Sequence, residues 1–279
     1  MFCMNKNSKY ILCLSMITIM LLTSCNMLGS EPSKDKEEGF NKKKPPKALT
    51  QMERELDEII KNLESVRDER ARLLREQEHP SKTSQSEAQQ QVQTQNKEQQ
   101  NDNKNTQHSD PKPDWNSLEK TIETLHEHWN SFEPSARMDG AMNETIKEFG
   151  KQLINLTEQI IARNEEKTMV AATNLYSSLP DFLKLYDHNQ PPEIKEVIGL
   201  VRLIIIYGQQ EKWEETKPLL KQIKEAWQEA KTKMKKPDEM LNKRIESAIN
   251  DFQLVVAEKK NDIAKIKGNI IIKNLDQIE

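Results

Sequence analysis

The chain has 279 residues, of which 31% are charged and only 5% aromatic, with seven glycines and a formal net charge of −3. That balance favours helices and excludes the basic stripe on which a nucleic-acid partner depends. The three cysteines, Cys3, Cys13 and Cys25, all lie near the start, so neither a disulfide framework nor a cysteine-rich zinc site can hold the remainder together.

The first nine residues carry Lys6 and Lys9 and no acid, and Tyr10 to Leu22 then runs for about thirteen residues without a charge. A basic start followed by a short apolar run is the pattern of an export signal. A membrane-spanning helix would need roughly 20 apolar residues. The run closes on Leu22, Thr23, Ser24 and Cys25, which resembles the lipobox of bacterial lipoproteins. That resemblance implies a thioether-linked diacylglycerol on Cys25, signal-peptidase recognition of Leu22, Thr23 and Ser24, cleavage before Cys25, and often a further acyl chain such as palmitate on the new amino group. Cleavage would remove Cys3 and Cys13 and leave Cys25 as the one cysteine. Two acyl chains at a single residue suffice for stable anchoring, since each buried methylene contributes about 0.8 kcal/mol.

From Asn26 to Lys47 the composition is mixed in charge, with Gly, Ser and Pro and few apolar residues, and reads as a disordered tether. Its Lys42 to Pro46 cluster, KKKPP, could touch anionic headgroups, although a solvated linker is the plainer reading. At Ala48 the pattern changes. Leu49, Met52, Leu56, Ile59, Leu63, Val66, Arg70 and Leu73 follow one another at alternating spacings of three and four, the rhythm of a coiled-coil seam interrupted only at Arg70. A narrow seam on a highly charged helix is marginal alone. The partner of residues 48–77 could be a second copy, a helix of the C-terminal domain, or another protein of the cell envelope.

Residues 78–113 are rich in Gln and Asn, with Val92 as the sole aliphatic side chain larger than alanine, and read as a low-complexity linker. As a flexible coil it would span roughly 33 Å. Asp114 then suits an N-cap, and Trp115, Leu118, Ile122, Leu125 and Trp129 repeat at helical spacing up to an expected break near Pro134. Met142 to Ile160 carries a second stripe, and Thr168 to Tyr186 a third, interrupted at Pro180. Pro191 and Pro192 open a fourth helix, EIKEVIGLVRLIIIYG, apolar nearly all round and so expected at the centre of the core. Gly208 ends it. A fifth helix carries Trp213, Leu220, Ile223 and Trp227, its start delayed or kinked by Pro218, and a sixth, long stripe runs from Leu241 to Ile266. Only NIIIKNL near the end hints at alternation of period two.

Few residues suggest chemistry. His126 and His128 stand two apart, a spacing that points them about 200° apart on a helix. At helical spacing Trp115, Trp129, Trp213 and Trp227 suit core packing better than a binding groove. The segment from Tyr207 to Trp227 resembles the turn of a tetratricopeptide-like hairpin, but no repeat at about 34 residues accompanies it. No nucleophile elbow, glycine-rich phosphate loop or calcium loop is present.

The expectation is therefore an all-α protein: a bundle of five or six helices over 114–279, preceded by linkers and a separate coiled-coil-like helix. It would be a non-enzymatic interaction or scaffolding module without catalytic residues, cofactor or metal. Its anchor would be Cys25 on the extracytoplasmic face of the cell membrane. Asn26 is not the aspartate linked to inner-membrane retention, which leaves the outer membrane open in a two-membrane cell. The alternative expectation is a ligand-binding lipoprotein with a tryptophan-lined cleft.

Overall fold

The computed structural model describes residues 43–78 and 110–278, which belong to one compact unit. Residues 1–42, on which the expected export signal, Cys25 and most of the expected tether fall, and residues 79–109 of the Gln/Asn-rich stretch lie outside the described residues. What is described is all-helical: α1 (Lys47–Glu78), α2 (Trp115–Met138), α3 (Asn143–Ile161), α4 (Glu165–Leu183), α5 (Glu193–Gln209), α6 (Trp213–Lys233), α7 (Glu239–Ala257) and α8 (Asn261–Leu275). Successive helices from α2 onward pack as neighbours, and α5 also meets α8.

Several starts are fixed by side-chain caps. Asp114 accepts a hydrogen bond from the Ser117 amide at 3.1 Å, Asn164 from Lys167 at 3.0 Å, and Asp238 from Met240 and Leu241 at 2.9 and 3.0 Å. Each pairs an amide that the first helical turn otherwise leaves without a partner. Four hairpin turns share one device at the other end. Gly140, Arg163, Glu211 and Lys259 take positive φ of 99°, 50°, 58° and 58°. The amide following each donates back to the carbonyl five residues earlier: Ala141 to Ala136, Asn164 to Gln159, Lys212 to Tyr207 and Lys260 to Val255. This is the Schellman closure, in which a left-handed residue reverses the chain and pairs the last carbonyls.

The long sixth stripe divides at one of these turns. Lys259 splits it into α7 and α8, so seven helices rather than five or six follow Asp114 among the described residues. Ile263 and Ile266, read as part of that stripe, stand exposed on α8 together with Ile270. NIIIKNL lies within α8 and is helical. The expected break at Pro134 and interruption at Pro180 do not occur, because α2 and α4 continue through them. Proline removes one amide donor while keeping a helical φ, and buried side chains on both sides, Phe132 and Ala136 around Pro134 and Leu179 and Phe182 around Pro180, hold the backbone in place. Likewise α6 begins at Trp213, with Pro218 inside it.

Two cores join on α4. Trp129 and Phe132 of α2, Phe149 of α3 and Phe182 of α4 form an aromatic cluster, with Trp129 4.4 Å from Phe149 and Phe182 edge-on to both phenylalanines at 5.3 and 5.5 Å. Such tilted and edge-on contacts suit the ring quadrupoles. The second core surrounds α5, whose Ile194, Val197, Val201 and Ile204 are buried. Two glycines let α5 approach its neighbours. A Cβ at Gly199 would lie 2.1 Å from the Ser177 hydroxyl and 3.3 Å from its Cα, and one at Gly268 would lie 2.6 Å from Ile205.

Gly150 in α3 has no such neighbour. Gly150→Ala should therefore raise stability by about 0.5–1 kcal/mol through helix propensity, whereas Gly199→Leu should lower it by about 1–3 kcal/mol through overpacking. Thermal unfolding of both variants checks the pair, and a gain from Gly199→Leu would contradict the close α4–α5 approach.

Candidate interaction site

The heptad helix is not set apart from the domain. α1 lies against α2 and α4 in the same compact unit, which is the intramolecular alternative among the partners its pattern allowed. Of the expected seam, Leu49, Met52, Leu56, Ile59 and Leu63 are completely buried, and Ile60 joins them. Val66 and Leu73 are only half-buried, and Leu74 is exposed. The seam is thus fully covered from Leu49 to Leu63, about two heptads, and loses its cover beyond.

Arg70, the residue that breaks the rhythm, marks where it runs out. Its guanidinium donates to both Glu165 carboxylate oxygens at 3.3 and 3.0 Å, to the Pro111 carbonyl at 2.7 Å and to Asp110 at 3.2 Å. One side chain thereby ties α1 to the start of α4 and to the segment leading into α2. A planar fork with several donors fits this multidentate role better than an ammonium would.

Along the flank of the seam, α1 presents Glu53, Asp57, Glu64 and Asp68. Facing them are Lys195 and Arg202 of α5 and Lys265 of α8: Lys195 pairs with Glu53, Arg202 donates to Asp57 at 2.8 Å and lies 3.8 Å from Glu64, and Lys265 pairs with Asp68. On the other flank Glu55 meets His128 Nδ1 of α2 at 2.8 Å. Arg202 is the centre of the row. It is only 6% exposed, and its guanidinium carbon stands 5.3 Å from the centroid of the Tyr176 ring, within cation–π range.

The carboxylates beside Arg202 respond differently. Burial pulls the Asp57 carboxyl upward, but the hydrogen bonds and charges of Lys61 and Arg202 outweigh it and hold the group below the usual aspartate range. For Glu64 burial prevails over the attraction of Arg202 and pushes the carboxyl up. Burial also raises the Tyr176 phenol, which stays neutral beneath the guanidinium. A cleft of about 220 Å³ opens beside this row, lined by Glu53, Asp57, Tyr176, Lys195, Arg202 and Asp276 among others. With cations and anions interleaved, its walls are matched to each other.

The remaining sequence candidates are structural. His126 shares a hydrogen bond with the Thr157 hydroxyl at 2.8 Å while His128 faces Glu55, so the two do not converge. Trp129 and Trp227 are buried, and Trp115 and Trp213 pack partly buried against the core. The Tyr207–Trp213 turn is a hairpin in which the Trp213 ring lies close over Gly208. Leu22, Thr23, Ser24 and Cys25 lie outside the described residues. The row of acids on α1 has one signal in the sequence: Arg202 stands in the middle of the most apolar helix, and such a cation needs an anion from elsewhere.

Comparison with models of known families, with curated protein sequences and with solved structures finds no match for this chain.

Arg202→Met tests the row. Asp57, whose carboxyl is depressed, adds stability above the unfolded aspartate range that is lost as pH falls through its folded value; Glu64, whose carboxyl is raised, subtracts stability as pH rises through the glutamate range. Removing Arg202 weakens the first effect and strengthens the second. The variant should lose about 2–3 kcal/mol at pH 7, and the loss should shrink toward pH 4 as Glu64, whose carboxyl is raised, and an Asp57 no longer held down by Arg202 take up protons. Urea unfolding at the two pH values checks this; an equal loss at both would contradict the assigned pairing.

Proposed function

We propose that this chain is a lipid-anchored extracytoplasmic bacterial protein that works as a non-enzymatic interaction module. The observation that carries the proposal is the ordered N-terminal sequence: Lys6 and Lys9, the uncharged run Tyr10–Leu22, and then Leu22, Thr23, Ser24 and Cys25. Cys25 takes the diacylglycerol, and the following residues lead to a helical body that presents its surface to a protein partner of the cell envelope. No helix among the described residues is long and apolar enough to cross a membrane.

The helical body supports an interaction role through what it occupies and what it leaves open. The seam of α1 is filled from within the molecule, so pairing with another chain through residues 48–77 would require α1 to leave its bed and expose six buried aliphatic side chains, each costing about 1.5–3 kcal/mol. Contact through the outer surface carries no such cost. Ile263, Ile266 and Ile270 form an exposed stripe on α8, and Leu254 of α7 is exposed as well, the kind of apolar surface that protein partners cover.

The deciding experiment is the intact mass and detergent partitioning of membrane-extracted protein, with Cys25→Ala alongside. The expected result is a chain that begins at Cys25, carries a diacylglyceryl increment and partitions into detergent, all three lost in the variant. A chain cut elsewhere without lipid, or left uncut, would overturn the proposal.

A further inference from the structure

The described chain begins at Lys43, and the geometry around that residue gathers five elements at one end of the bundle. The Lys43 ammonium pairs with Asp139 at 3.1 Å, and Tyr186 donates to the other oxygen of the same carboxylate at 3.0 Å. The Asp187 amide donates to the Lys43 carbonyl at 2.8 Å, and Lys235 pairs with Asp187 at 3.0 Å. Gln190 donates to the carbonyl of Ile278. The start of α1, the α2–α3 turn, the α4–α5 connection, the α6–α7 connection and the end of α8 therefore share one face.

This face has an unusual surface. Met138, Met142 and Met240 are 86%, 72% and 72% exposed, although methionine ordinarily fills gaps inside cores. The segments gathered here also carry the exposed lysines Lys43, Lys44, Lys47, Lys235 and Lys236. Two of its acids are engaged, Asp139 by Lys43 and Tyr186 and Asp187 by Lys235, and Glu144 and Glu239 stand in the first turns of α3 and α7, where the positive helix N-termini offset their charge. The contacts of Asp139 and Asp187 hold both carboxyls below the usual aspartate range. Lys44, Lys47 and Lys236 pair with no carboxylate among the described residues. Flexible apolar side chains and unpaired lysines on one face match a surface that is anionic outside and apolar just beneath.

We infer that this face is a docking surface for an anionic lipid bilayer, which holds the bundle end-on to the membrane with Met138, Met142 and Met240 at the headgroup level. The inference rests on the lipid anchor at Cys25. Seventeen residues lie between Cys25 and Lys43, a stretch that spans at most about 65 Å when fully extended, and the chain reaches the body at this face. A membrane is thus the partner delivered to it. Lys44, Lys47 and Lys236 would together raise the membrane-facing population roughly a hundredfold, at about 1 kcal/mol for each basic residue near an anionic surface. Screening by salt should reverse the effect.

The test places one environment-sensitive fluorophore on the full-length protein, through Met142→Cys, Met240→Cys or, at the far end of α6, Glu214→Cys. With Cys25 lipidated and the signal segment removed, the introduced thiol is the one available for labelling. The anchored protein is reconstituted into vesicles of phosphatidylcholine with or without phosphatidylglycerol, both containing a lipid-borne quencher. Strong quenching at 142 and 240 but not at 214, present with phosphatidylglycerol and lost in Lys44→Glu/Lys47→Glu/Lys236→Glu, is the expected result. Equal quenching at both ends, no quenching at 142 and 240, or quenching that ignores lipid charge would overturn the inference, as would shielding of 142 and 240 by a protein instead of by lipid. The intact mass of the same sample reports the anchor separately. If Cys25 carries no lipid, that reading falls by itself, and quenching at 142 and 240 by vesicles added from outside still decides whether this face binds them.

Discussion

The burial of α1 against α2 and α4 is the constraint on which the rest of the structure depends. A charged helix with a narrow apolar edge is marginal in water, so Leu49, Met52, Leu56, Ile59, Ile60 and Leu63 must be covered for α1 to persist. The bed that covers them is made by helices from beyond the Gln/Asn-rich segment. Two parts of the sequence that differ sharply in composition from the stretch between them are thereby one folding unit, and whatever pulls on the chain at Lys43 pulls on the whole bundle.

Apolar burial alone would not fix how α1 lies in that bed, since it is non-directional. The charged row supplies the direction. Glu53, Asp57, Glu64 and Asp68 meet Lys195, Arg202 and Lys265 together only in the observed register: a shift of α1 by one turn would bring Leu49 opposite Lys195 in one direction and Lys61 opposite Arg202 in the other. The cost of an uncompensated buried charge makes the second of these the more expensive. Arg70 closes the arrangement where the apolar edge ends.

Much of this fold was legible in the sequence because helices announce themselves by period and by caps: Asp114 and the Pro191–Pro192 pair both mark true starts, and the apolar helix after Pro192 is central. The misreadings have local causes. Three of the four hairpin turns place Arg163, Glu211 and Lys259 in the left-handed region, where glycine is the usual residue, so the turn at Lys259 carried no signal and α7 merged with α8. Pro134 and Pro180 read as breaks because the packing that carries the helix through them is tertiary. The docking of α1 stayed open for a different reason: a heptad edge states that a partner is needed without naming it. Neither the close approaches at Gly199 and Gly268 nor the surface gathered around Lys43 could be seen before the helices were assembled.

If α1 is a structural member of the bundle, its backbone is as protected as the core it covers. Hydrogen exchange of the intact protein measures this directly. The expected pattern is amides from Met52 to Leu63 exchanging as slowly as those of α5, with faster exchange beyond Arg70, where Leu73 and Leu74 lose their cover. Exchange across the whole of α1 that is orders of magnitude faster than in α4 and α5 would contradict the account and return α1 to a helix awaiting its partner.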